Sequence, residues 1–185
     1  MNIECIQDRL REAIGYVERV ANKHMTLPVL SCILFDASVK NQLTLKATNL
    51  DLGIEITIPI KTNETGMMAV PSTTINSFLI NAISDDKGVN LSLSQGNLKI
   101  STTRNSGIIK TLSHEDFPSI PKVDNSDNFT IHSGDFVKGL KSVWYSSSIS
   151  SIKPELSSVY VYCDGEFVVF VATDSFRLAE KKIKI

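Results

Sequence analysis

The sequence predicts an α+β fold made of duplicated strand–helix–three-strand units, with antiparallel sheets and the helices on one face. Three observations carry this. Short apolar stretches with period-2 alternation are separated by turn residues, as in antiparallel strands. Two longer stretches, around residues 7–20 and 72–83, repeat apolar residues at helical spacing. The third is internal: the second part of the chain repeats the first.

The elements follow in order. Ile3 and Cys5 alternate with polar neighbours, the mark of a half-buried strand. Leu10, Ala13, Ile14, Val17 and Val20 share one helical face, and Asp8 sits in the first turn, where the helix dipole favours an acid. "VLSCILFDA", "QLTLKAT" and "GIEITIPI" read as strands and "MMAV" as a short one. Pro71 suits a helix start, after which Ile75, Phe78, Leu79, Ala82 and Ile83 form a second apolar face. "VNLSLSQ", "NLKISTT" and "GIIKTLS" are strands again, with a hairpin turn at "SQGN". The Pro- and Asp-rich segment 113–128 reads as a linker. Beyond it come strand "NFTIH", a helix capped by Ser133, and strands ending at "FVVFVAT" and "KKIKI".

The repeat has an offset of 126. Leu10, Ile14 and Val17 fall on Phe136, Leu140 and Val143, and Pro28, Leu30 and Ser31 on Pro154, Leu156 and Ser157. At an offset of 125, Ala47 and Thr48 fall on Ala172 and Thr173, with Asn49 opposite Asp174. The expected domains are a complete first one at 1–125 and the first half of a second at 126–185, so the chain reads as cut in mid-domain.

Composition narrows the function. The 185 residues include 42% apolar and 21% charged side chains and a formal net charge of −1, ordinary for a soluble globular protein. No apolar run approaches the roughly 18–20 residues that cross a bilayer, and the N-terminus is not a secretory signal. Cys5, Cys32 and Cys163 are far apart and odd in number, which fits reduced, buried thiols in a cytoplasmic protein. His24, His114 and His132 lie in different segments, and no metal-ligand spacing, phosphate loop or nucleophile motif occurs. Asp85 and Asp86 fit a solvated turn, Cys163 a hairpin, and "SSSISS" a polar loop. Neither catalysis nor a cofactor is expected. The first helix carries Arg9, Arg11 and Arg19, with Lys23 beyond, offset by Asp8, Glu12 and Glu18; the repeat's helix carries Lys138 and Lys141 with fewer acids. Such faces are solvated surface or a weakly basic one that meets phosphates without reading bases.

"TLPVLSCILF", "LTLKATNLDLGIE", "VPSTTI", "LSHEDFPSIP" and "ATDSFRLAE", in this order, resemble the bacterial β sliding clamp, the processivity subunit of DNA polymerase III. The resemblance covers essentially the whole chain and matches a first clamp domain and half of a second, without the third. It implies the DNA clamp fold: a head-to-tail homodimer, a ring of six similar domains around duplex DNA, helices inside and sheet outside, with no catalysis. Partners would be duplex DNA, independent of sequence, the polymerase III catalytic subunit, the clamp loader and other clamp-motif proteins. It also implies that Thr173, Ser175, Phe176, Arg177 and Leu178, with Leu156 on the neighbouring strand, form one wall of a pocket for short partner peptides. DNA contacts would come from Arg9, Arg11, Lys23, His24, Lys138, Lys141 and Lys153, and the edge strand at Ile109 would meet a second subunit. The other pocket wall belongs to later parts of the family's chain. The competing expectation is a docking or regulatory module that borrows the clamp fold without closing a ring; an enzyme on a related scaffold is the third.

Overall fold

The computed structural model describes residues 1–21, 27–82, 88–121, 129–150 and 152–185. The chain forms two compact units, Met1–Pro121 and Lys122–Ile185. The expected boundary between residues 125 and 126 lies outside the described residues, as do Ile83, Asp85 and Asp86.

The first unit contains β1 (Asn2–Ile6), α1 (Gln7–Val17), β2 (Cys32–Asp36), β3 (Gln42–Thr48), β4 (Gly53–Pro59), β5 (Lys61–Glu64), β6 (Met67–Pro71), α2 (Ser72–Asn81), β7 (Gly88–Ser94), β8 (Asn97–Ser101) and β9 (Ser106–Lys110). One sheet runs β5-β1-β7-β8-β9 and the other β4-β3-β2-β6, and every pairing is antiparallel. Side chains of both sheets and both helices meet in one core: Ile3, Leu10 and Ile14 with Phe35, Leu45, Ile75, Leu79 and Leu91, all fully buried. The helices have few polar side chains on these faces, so burial of the apolar stripe, rather than capping, holds them. Ile6 and Pro71, which precede α1 and α2, make no side-chain cap. Gln7 Nε2 instead donates to the Ala82 carbonyl at 2.6 Å, satisfying an orphan acceptor at the end of α2.

Three expectations change here. β5 falls on "KTNE", which has no apolar alternation to mark it; it is an edge strand held by its ladder to β1. "VLSC" starts as a 3-10 turn, Pro28–Ser31, before β2 begins. The described part of the expected linker, residues 113–121, packs back on the first unit. Phe117 lies against Val29, Cys32 and Ala69, and Ile120 approaches Gly53 so closely that a Cβ there would fall 2.8 Å from its methyl carbon.

The second unit contains α3 (Ser133–Val143), β10 (Tyr160–Asp164), β11 (Phe167–Thr173) and β12 (Leu178–Lys184). The strands form one antiparallel sheet in chain order. Val143, Val168 and Phe170 are its fully buried centre, with the Phe136 ring edge-on to Phe170 at 5.5 Å. The residue before α3 that caps it is His132, whose Nδ1 accepts from the Gly134 N–H at 3.3 Å; Ser133, the expected cap, is the first helical residue. Residues 129–132 form no strand. Their counterpart β1 is flanked by β5 and β7, and no described strand pairs with the second copy's stretch.

The duplication is accurate in detail. α1 and α3 superpose in numbering at an offset of 126, and β3 and β4 match β11 and β12 at 125. Ser31 Oγ donates to the Pro28 carbonyl at 2.7 Å, and Ser157 Oγ to that of Pro154 at 3.1 Å.

Candidate functional site

The turn at 173–178 joins β11 to β12, and Thr173 and Leu178 are the last pair of that ladder. Its shape follows from two side chains. Thr173 Oγ1 accepts from the Ser175 N–H at 3.1 Å and donates to the Arg177 carbonyl at 2.7 Å. Asp174 Oδ1 accepts from the N–H groups of Phe176 and Arg177, each at 3.0 Å. Short side chains that bond the backbone two or three residues on are what make Thr and Asp turn formers. Ser175 takes a left-handed conformation, φ 76°, which closes the loop. The other Asp174 oxygen, Oδ2, accepts from Arg177 Nε at 3.0 Å. The N–H donors of Phe176 and Arg177, and then the Arg177 charge, hold the Asp174 carboxyl below its usual pKa.

The turn therefore fixes its backbone internally and turns its larger side chains outward. Phe176 is 98% exposed and Leu178 67%. A fully solvated phenylalanine beside an exposed leucine is an unusual use of apolar surface. Leu156 is half-buried and lies in the turn before β10, not on a strand as expected. Tyr160 pairs with Val171, so the segment leading into β10 enters the sheet at the end where the 173–178 turn leaves it. Leu156 lies in the segment that leads into β10 at that end.

The basic candidates are more scattered. Arg9 and Arg11 are exposed on α1, and Arg11 pairs with Asp8 at 3.5 Å. A cleft of about 690 Å³ between α1 and α2 is lined by Arg11, Tyr16, Arg19, Asn76 and Ile80. Asp8, Glu12 and Glu18 line it too, which offsets its cations. Arg19 lies over the Tyr16 ring at 5.8 Å, and Glu18 accepts a hydrogen bond from Asn76. Lys138, Lys141 and Lys153 are exposed in the second unit. Lys141 also sits in the last turn of α3, where a cation complements the helix dipole. Lys23 and His24 lie outside the described residues.

Two further expectations are corrected. Ile109 is only 6% exposed and points into the core, because side chains alternate across the strand; its neighbour Ile108, 76% exposed, is the apolar residue that edge strand β9 presents outward. Among the thiols, Cys5 and Cys32 are buried, and burial pushes Cys5 up to about 12 and Cys32 upward as well. Cys163 is exposed on β10, not buried. Among the described residues no group of His, Cys, Asp or Glu approaches a metal-binding arrangement, and no helix is long and apolar enough to cross a membrane.

Paired antiparallel sheets with two helices, followed by a second copy of the same half, define a clamp-type architecture. The chain belongs to the DNA polymerase III beta subunit family, whose N-terminal domain model matches residues 1–121. Among curated proteins it is 25% identical over 183 residues to the beta sliding clamp of Synechococcus elongatus, covering 98% of this chain and 48% of the relative. It is 28% identical to that of Synechocystis, with 97% and 47% covered. The solved DNA polymerase III beta subunit of Pseudomonas aeruginosa matches the whole chain at a TM-score of 0.91 and 22% identity, over 50% of its own length. The chain spans about half the length of the curated relatives it matches.

Proposed function

We propose that this chain is part of a DNA sliding clamp, a non-catalytic processivity factor of cytoplasmic DNA replication, and that the turn at 173–178 is half of its partner-docking pocket. One observation carries the reading: a self-braced turn at one end of the β10–β12 sheet leaves Phe176, Arg177 and Leu178 exposed side by side. Apolar anchors next to a guanidinium are the usual mix for gripping a short peptide. The occupants would be motifs of the polymerase III catalytic subunit, the clamp loader and other clamp-binding proteins.

Arg9, Arg11, Lys138, Lys141 and Lys153 would supply phosphate contacts, joined by Lys23 and His24. Few, exposed and partly acid-balanced cations suit a protein that must stay on duplex DNA without stopping on it. Residence then comes from topology, and the contacts stay weak and salt-sensitive. In the head-to-tail homodimer, edge strand β9 would meet the other subunit through its open backbone and Ile108. Residues 1–125 form the first clamp domain in this reading and 126–185 the first half of the second.

The test uses the natural protein that carries this chain, loaded on a nicked circular plasmid and passed over a sizing column in high salt. A clamp stays with the circle and is lost when one restriction cut makes the DNA linear. Release that is the same from circular and linear DNA contradicts encirclement and favours a docking module without a ring.

A further inference from the structure

The first unit contains a second version of the same turn, at residues 48–53. Thr48 Oγ1 accepts from the Leu50 N–H at 3.0 Å, as Thr173 does from Ser175. Asn49 Oδ1 accepts from the N–H groups of Asp51 and Leu52 at 3.1 and 2.7 Å, as Asp174 does from Phe176 and Arg177. Leu50 has φ 79° where Ser175 has 76°. The turn therefore folds with an amide at its second position. The extra oxygen that a carboxylate brings is surplus to the backbone's needs. At 174 that oxygen accepts from Arg177 Nε. Among the described residues Asp174 is also the only ion-pair partner of Arg177.

We propose that Asp174 is a positioning residue: it grips the Nε edge of Arg177 so that the two Nη groups are held ready for an oxygen acceptor on a docked peptide. This rests on the docking reading of the turn and names the chemistry of its occupant. The ligand class is a short peptide with apolar side chains for Phe176 and Leu178 and a carboxylate or carbonyl oxygen for Arg177. An unbraced arginine would have to lose rotamer freedom on binding; a braced one has already lost it. The Asp174–Arg177 pair is neutral as a whole, so Arg177 acts as a short-range directional donor and not as a long-range lure for phosphates.

The probe is a fluorescein-labelled pentapeptide with leucine and phenylalanine side chains for the apolar anchors and one aspartate for Arg177, titrated into the natural protein that carries this chain. Asp174→Asn keeps the backbone bonds that Asn49 makes and removes only the brace. Affinity should drop roughly tenfold, as for a weakened charge-assisted contact. The binding that remains should become more salt-dependent, because a cation is left uncompensated. The Arg177 Nε–H signal should exchange faster in Asp174→Asn than in the unaltered protein. Arg177→Ala should cost at least as much, and adding Asp174→Asn to it should cost nothing more. Binding that is lost in Phe176→Ala but unchanged in Asp174→Asn overturns this inference and leaves the docking reading intact. An unaltered protein that does not bind the probe overturns both.

Discussion

The turns at 48–53 and 173–178 share a backbone and differ in what they display. Both are four-residue loops between the last pair of a hairpin, Thr48 with Gly53 and Thr173 with Leu178. Both are braced by a threonine hydroxyl and by an Asn or Asp side chain. The first carries Asn49, Leu50, Asp51 and Leu52 and closes on Gly53, whose bare Cα accommodates Ile120. The second carries Asp174, Ser175, Phe176 and Arg177 and closes on the exposed Leu178. Duplication supplied a rigid loop twice. Both copies leave side chains in solvent, Leu50 and Leu52 at 57% each in the first and Phe176 at 98% and Leu178 at 67% in the second, but only the second sets an arginine between its apolar residues. The scaffold and the site are therefore separable, and changes can be chosen that strike one without the other.

The largest expected effect lies under the second turn's sheet. Ala13 and Leu45 of the first copy correspond to Gly139 and Phe170, a smaller helix residue against a larger strand residue. A Cβ at Gly139 would fall within 2.6 Å of three carbons of the buried Phe170 ring. Gly139→Ala should destabilise the second unit by about 1–3 kcal/mol through overpacking, read by urea unfolding. Combining it with Phe170→Leu, which restores the first copy's pair, should recover part of that loss.

Next come the threonines. Thr48 is buried and Thr173 half-buried. Thr48→Val strands the Leu50 N–H where water enters poorly and should cost about 1–2 kcal/mol. Thr173→Val, in a wetter turn, should cost about 0.5–1 kcal/mol. Thermal unfolding measures both, and the reverse order would contradict the burial contrast. Ser175→Gly and Leu50→Gly should each shift stability in the stabilising direction, by no more than about 1 kcal/mol, because glycine occupies the left-handed region without strain.

The smallest effect is in pH. The Asp174 carboxyl is held below its ordinary value of 3.8 by the turn's N–H groups and Arg177. Its folded pKa is lower than its unfolded one, so its contribution is complete above that ordinary value. It is lost as pH falls through the lower folded value. Asn49 does not titrate. Asp174→Asn should therefore shrink the acid-induced loss of stability, whereas Asn49→Asp should add one.

Most of this architecture was legible in the residues because it rests on apolar periodicity. Leu10, Ile14 and Val17, and Ile75 and Leu79, mark helix faces that the structure buries fully. The order of repeated elements fell out of the offset alone. What escaped depends on partners in space. β5 is a strand only because β1 lies beside it, and residues 129–132 are not one because no described strand does. Ile108 and Ile109 are the same residue type, and only the β8 ladder decides which of them faces the core. The docking role proposed for the 173–178 turn rests on resemblance. The brace between Asp174 and Arg177 could have been inferred from the Asn49-to-Asp174 exchange, the one signal at that position that the fold itself does not require.

The most direct test of the contrast is an amide chemical-shift titration of the ¹⁵N-labelled natural protein with the leucine–aspartate–phenylalanine peptide. The account predicts that the largest shifts fall on residues 173–178 and around Leu156, with residues 48–53 unmoved. Equal shifts at both turns, or shifts only at 48–53, would contradict it, because the display of Phe176, Arg177 and Leu178 would then not be what binds.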